Sequence, residues 1–354
     1  LGGRWAGPRW SFTNAYTPQG TNYARHTKLD YFAQSYEQDW NYAASPHTQL
    51  VWSLSAQRFP ERAASPQAGG LSLAATAAAS QSVALATVLS GGSSSLNLSH
   101  ATGPHTTLTA GVNGTEQYYA TDASLAASQG LPAPSVLNSQ ARSLGGNLGW
   151  SEQLTKTTSV QLAGAGSQTW FVGNGERVRY GNLQASLQHR LGAAYSVQLG
   201  GGPAWTRTVG GTANPTPTAP LPSLGYAANA ALTGTSGRSN YGLSWSHADT
   251  AGLVPGSITT DLLALQYGMH FGRSWSASVS VGHSSGHGVT AVALPSLDSA
   301  FGSGQINYRV ASGWSVIANA SYFTQMEPTG VGTTGHFRRL QAAAGIAYQP
   351  GGAR

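Results

Sequence analysis

The sequence predicts an all-β chain: one antiparallel, up-and-down transmembrane β-barrel of about 14–18 strands. Three observations carry this. Charged residues are 8% of the 354-residue chain, against about 25% in an ordinary soluble protein, while hydrophobic residues stand at 40%. Apolar and polar side chains alternate with a period of two through most of the second half. Tight turns also alternate with longer polar segments along the chain.

The missing charge is replaced by 46 Gly and by Ala, Ser, Thr, Asn and Gln rather than by extra apolar bulk. A soluble helical enzyme needs Lys and Glu on its outer faces, and a disordered chain lacks the 10 Trp, 15 Tyr and 8 Phe found here. A helical membrane protein needs apolar runs of about 18 residues. The nearest approach, Leu71 to Ser90, is broken by Ser, Thr and Gln and lacks bulk. With no cysteine, the chain can build neither a disulfide nor a thiolate metal site. It opens at Leu1 without a charged-then-apolar leader, so a mature or trimmed chain is expected. The net charge is +6, but the basic residues are scattered singly, with no cluster longer than Arg338-Arg339, so nucleic acid is not an expected partner.

The strands follow in order. In the first 120 residues the candidates are 9–16, 28–42, 47–58, 70–79, 82–90, 94–100 and 105–117, and an internal plug is an alternative use of this region. The clearer strands are 139–152, 157–170, 178–190, 194–206, 223–233, 238–247, 259–271, 274–283, 301–310, 313–323 and 337–348. Trp275, Ala277, Val279 and Val281 alternate with Ser276, Ser278, Ser280 and Gly282. Trp314, Val316, Ala318, Ala320 and Tyr322 alternate with Ser315, Ile317, Asn319 and Ser321 in the same way. Tight turns are expected at Arg190-Leu191-Gly192-Ala193, Gly234-Thr235-Ser236-Gly237, Phe271-Gly272-Arg273-Ser274 and Ala311-Ser312-Gly313, where Gly supplies positive φ. Long loops are expected at Thr206 to Pro222, His247 to Ser257 and Gly282 to Ser299. Barrels of this kind have even strand counts. An even count places both termini on the tight-turn side, with residues 349–354 as a tail there.

Aromatic residues bracket the apolar faces. Tyr195, Trp275, Trp314 and Tyr348 lie beside turns, and Trp205 and Tyr322 lie toward the long loops. The rise from Trp314 to Tyr322, at about 3.3 Å per residue and a tilt near 40°, is roughly 20 Å, close to the ~25 Å apolar band of such barrels. With these features the chain resembles bacterial outer-membrane β-barrel proteins, porin-like in the broad sense, over essentially its whole length. The resemblance implies one barrel spanning 1–354 in the outer membrane of a diderm bacterium. Its long loops would be extracellular, and both termini periplasmic. Membrane lipid, lipopolysaccharide and further copies of the chain are the partners it implies.

Small motifs that look chemical have plainer readings. His283 and His287 have helical metal-ligand spacing but open a Gly/Ser loop. Gly282-His283-Ser284-Ser285-Gly286 has the letters of a nucleophile elbow without the helix that must follow. Gly200-Gly201-Gly202 lacks the Lys-Ser/Thr of a phosphate loop and fits a strand bend or bulge. The chain is therefore not read as an enzyme, and no cofactor or metal is expected. The informative face points inward. It collects Gln266, His270, Gln305, Asn307, Arg309, Asn319, Arg339 and Gln341, mostly neutral hydrogen-bonding groups with a slight excess of Arg. Ion-selective pores line their walls with rings of charge; this wall suits passive passage of small polar, mostly neutral solutes. The alternative is a structural or surface-assembly barrel whose loops or outer wall bind other proteins or copies of itself.

Overall fold

The computed structural model describes residues 2–21, 31–60, 87–121, 140–173, 175–210, 223–251, 257–272, 274–288, 297–311, 314–329 and 333–348. They form seventeen strands in one sheet. In chain order these are β1 (Gly2–Ala6), β2 (Trp10–Thr21), β3 (Tyr31–Ser45), β4 (Thr48–Pro60), β5 (Thr87–Ala101), β6 (Thr106–Thr121), β7 (Gln140–Gln153), β8 (Thr158–Phe171) and β9 (Arg177–Leu191). They continue as β10 (Tyr195–Val209), β11 (Ser223–Ser236), β12 (Ser239–Ala251), β13 (Ser257–Phe271), β14 (Trp275–Gly288), β15 (Leu297–Ala311), β16 (Trp314–Thr329) and β17 (Thr333–Tyr348).

Each strand pairs antiparallel with the next, from β1–β2 to β16–β17. This is an up-and-down barrel wall. Among the described residues no ladder joins β17 to β1, so the wall is not closed. Tight turns end the odd-numbered strands. Gly192, Gly237 and Gly272 occupy three of them at φ of 72°, 57° and 65°, as the sequence predicts, because a side chain is strained there. The longer connections all fall at the other end of the wall, together with the short β8–β9 and β16–β17 ones.

The count is odd, so Gly2 stands at the long-loop end and Tyr348 at the turn end. The parity argument for termini on one side needs an even count and does not hold for the described chain. Three further differences arise where polar residues continue a ladder beyond the apolar band. β10 runs to Val209, β12 to Ala251 and β14 to Gly288, so His283 to His287 are strand rather than loop. The candidates 82–90 and 94–100 are replaced by the single long β5, with 82–86 and all of 70–79 outside the described residues, as is 349–354. β1 went unrecognised because its Gly2-Gly3-Arg4 start carries no alternation.

The register carries one apolar face across every strand. It passes through Trp10↔Tyr42, Trp40↔Trp52, Leu50↔Leu98 and Leu96↔Val112, and later through Leu187↔Leu199, Leu232↔Leu243, Leu265↔Val281 and Val316↔Ile346. Many of these side chains are exposed, which is the arrangement a hydrocarbon solvent requires. All ten tryptophans occupy this outer face. Near the turns they and the tyrosines pair as a girdle: the rings of Trp275 and Tyr308 lie 4.4 Å apart, and those of Tyr195 and Tyr241 lie 5.7 Å apart. Gly200-Gly201-Gly202 lies in unbroken register with β11, without a bulge there. A Cβ on Gly202 would collide with the Leu183 carbonyl of β9, so the glycine permits close strand approach.

Candidate functional site: the inner face of the wall

The other register face is built from hydroxyls and amides. Gln266, His270, Gln305, Asn307, Arg309 and Asn319 all fall on it, opposite Trp275, Trp314, Tyr322, Tyr195 and Trp205. Arg339 and Gln341 hold inner-face register positions on β17, and Tyr348 an outer one. Neighbouring strands exchange short hydrogen bonds across this face. The hydroxyls of Ser55 and Ser93 lie 2.7 Å apart, as do those of Ser280 and Ser303. Ser53 donates to Asp39 at 2.7 Å. Such pairs satisfy part of each hydroxyl and leave the rest for water or solute.

At the turn end of β6–β10 the inner face is carved into a niche of about 410 Å³. Small residues (Ser151, Ser159, Ser186) give it depth, and Gln153, Gln161, Gln188 and Gln198 line it with amides. Lys156 of the β7–β8 turn, Arg190 of β9 and His105 of the β5–β6 turn stand at its edge. Gln188 donates to Ser196 at 3.2 Å, which fixes one amide against β10. Arg190 shares the inward parity of Gln188 and Ser186 on β9, a signal the sequence offered but that was not used, whereas Lys156 and His105 were missed because turn residues carry no alternation to assign them a face.

The long-loop end of the same face is built differently. Phe171, Val178, Ala204 and Ala227 are each at most 1% exposed, and Leu262 and Ala264, on the same face of β13, are buried as well. Beyond Ala228↔His247, β12 leaves β11 and approaches β9. Asp249 has the outer-face parity of His247, but where β12 turns toward β9 its buried carboxylate accepts hydrogen bonds from the inner-face Thr206 at 3.2 Å and from Thr259 at 2.5 Å, linking β10, β12 and β13.

The histidine motif does not gather into a site. His283 lies 3.5 Å from Asp298 on the outer face, and His247 lies 2.9 Å from Asp261 on that face as well. Among the described residues no group of three or more His, Asp or Glu could hold a metal ion.

No protein-family model matches the sequence, and a search of curated proteins finds no match. Solved structures do align. The FrpB iron transporter of Neisseria meningitidis, apoprotein form, aligns with a TM-score of 0.53 at 8% identity, over 92% of this chain and 58% of that one. FpvA of P. aeruginosa bound to heterologous pyoverdines aligns with 0.51 at 9% identity, over 95% and 60%. The FpvAI–pyocin S2 complex aligns with 0.50 at 10% identity, over 98% and 57%. The chain therefore spans less than two thirds of each of these proteins. At such identities the likeness shows the fold alone, that of bacterial outer-membrane β-barrels.

Proposed function

We propose that the chain is an outer-membrane barrel whose watery interior passes small polar, mostly uncharged solutes, with a weak preference for anions. The inner wall carries this reading. Its hydroxyls and amides can replace a solute's hydration without binding it deeply enough to trap it. The niche adds Lys156 and Arg190 against Glu152, and elsewhere on the wall Arg4 and Arg309 stand against Glu37 and Asp39, so the sparse charge leans only slightly positive. Closed on itself, a wall of this strand number would enclose more space than Ser, Gly and Ala side chains fill. The structural neighbours are an iron transporter and a pyoverdine-bound protein, which supports transport as the class of activity; the iron cargo is not carried over to this chain.

Purified, folded protein in a planar bilayer is expected to give steady conductance with a chloride-over-potassium bias that shrinks at high salt through screening. Liposomes carrying it should swell in small sugars. Folded barrels that conduct nothing, in liposomes that exclude those sugars, would overturn the proposal.

A further inference from the structure

Four arginines crowd the outer face at the long-loop end of neighbouring strands: Arg142 of β7, Arg177 and Arg179 of β9, and Arg207 of β10. Arg179 and Arg207 are direct cross-strand partners. Arg177 is two residues along β9 from Arg179 and pairs with Trp170, which pairs in turn with Arg142. Glu116 neutralises Arg142 at 3.1 Å. Glu176, which directly precedes Arg177, is engaged by a partner of its own, and the segment 211–222 that follows β10 contains no Asp or Glu. The Arg179 Nε donates to Gln168 at 2.9 Å, while the Arg207 Nε is buried without a hydrogen-bond partner among the described residues. Like charges directly opposite one another weaken a strand pair, and an unmade bond to a buried charged donor adds to that cost. A bridging anion removes both penalties.

On the same face toward the turns, the Trp205 indole lies over Gly181, and an apolar concavity sits beside it on the neighbouring strands. Gly146, Gly166, Gly181 and Trp205 form the next row of partners below Gln168, Arg179 and Arg207. Gly146, Gly164 and Gly166 floor a concavity of about 730 Å³ walled by Leu96, Val112 and Leu148. A soluble anion would satisfy the arginines and leave this apolar groove unaddressed. An amphiphile satisfies both.

We propose that this face binds one phosphate-bearing membrane lipid. Its phosphate bridges Arg179 and Arg207, with Arg177 as a third donor, and an acyl chain lies in the glycine-floored groove. Planar guanidinium forks match phosphate oxygens in pairs, which point charges do not. The site needs only that the apolar face meets lipid, and it stands whether or not the interior passes solutes.

The test is lipid retention by the folded protein in neutral detergent, read by native mass spectrometry with equimolar dioleoyl phosphatidic acid and dioleoyl phosphatidylcholine. Wild type is expected to retain phosphatidic acid preferentially, by about fivefold for each engaged arginine. Arg179→Gln with Arg207→Gln should abolish the preference, whereas Arg238→Gln, in the β11–β12 turn, should keep it. Gly166→Leu, which fills the groove and leaves the arginines intact, should lower retention of phosphatidic acid. Equal retention of the two lipids by folded wild type overturns the proposal. So does displacement of the lipid by inorganic phosphate as effectively as by a short-chain phosphatidic acid, which would mark a free-anion site. If the double variant does not fold, Arg207→Gln alone against wild type decides.

Discussion

Two parts of one inner face obey the same alternation and end in opposite states. At the turn end of β6–β10, inward positions hold Gln, Ser and Arg and, with Lys156 of a turn, line a polar niche. At the long-loop end of β8–β13, positions of the same parity hold Phe171, Val178, Ala204 and Leu262, and they are packed away from solvent. Side-chain parity decides which way a residue points; what the chain places opposite it decides whether that position is lumen or core. An inner wall can therefore be open at one end and consolidated at the other without any change of register.

Phe171→Ala breaks the comparison most directly. If Phe171 is core, its loss costs about 3–5 kcal/mol; if it faced open water it would cost far less. Denaturant midpoints of the protein in lipid vesicles measure the difference. Val279→Arg sets the outer face against both inner regions. Near the bilayer midplane it should destabilise by about 2–4 kcal/mol, while Ser280→Arg, one residue along and pointing inward, costs much less. Equal midpoints for these two variants would undo the assignment of faces. Asp249→Ala removes the carboxylate that links three strands at the packed end and strands two threonine hydroxyls, for an expected loss of about 2–3 kcal/mol. Its effect should add to that of changes at the niche, since the two regions share no partner. The smallest effect on stability, under about 0.5 kcal/mol, is expected for Lys156→Gln with Arg190→Gln, both exposed. That pair should instead move the reversal potential toward zero at low salt, and an unchanged bias would show that the niche does not sense permeating ions.

The barrel wall was legible because hydrocarbon forces strict alternation on every strand, and Trp275 to Gly282 or Trp314 to Tyr322 display it openly. Tight turns were legible because a positive φ calls for glycine, as at Gly192 and Gly237. Ladder ends were not, since beyond the apolar band Asp249 or His287 pairs its backbone as well as any apolar residue and periodicity says nothing there. The packed inner end was hidden for a related reason. Phe171 and Val178 look like outer-face residues to any pattern that equates apolar with lipid, and only the register shows them on the inner side. The niche was half legible: its glutamines follow strand parity, but Lys156 and His105 sit in turns and are positioned by chain direction alone.

All ten indole rings stand on the outer face, and this gives the molecule a one-sided optical signature. Its emission samples the bilayer and the interfacial zones, at depths set by the rows of Trp10, Trp275 and Trp314 near the turns and of Trp170 and Trp205 at the far rim. Brominated acyl chains should quench most of that light. Iodide confined to the interior should quench little of it, and a solute entering the niche should leave the spectrum nearly unchanged. Reporting on the interior spectroscopically would require an added probe there, while the native fluorescence serves, without alteration, as a gauge of insertion and lipid contact.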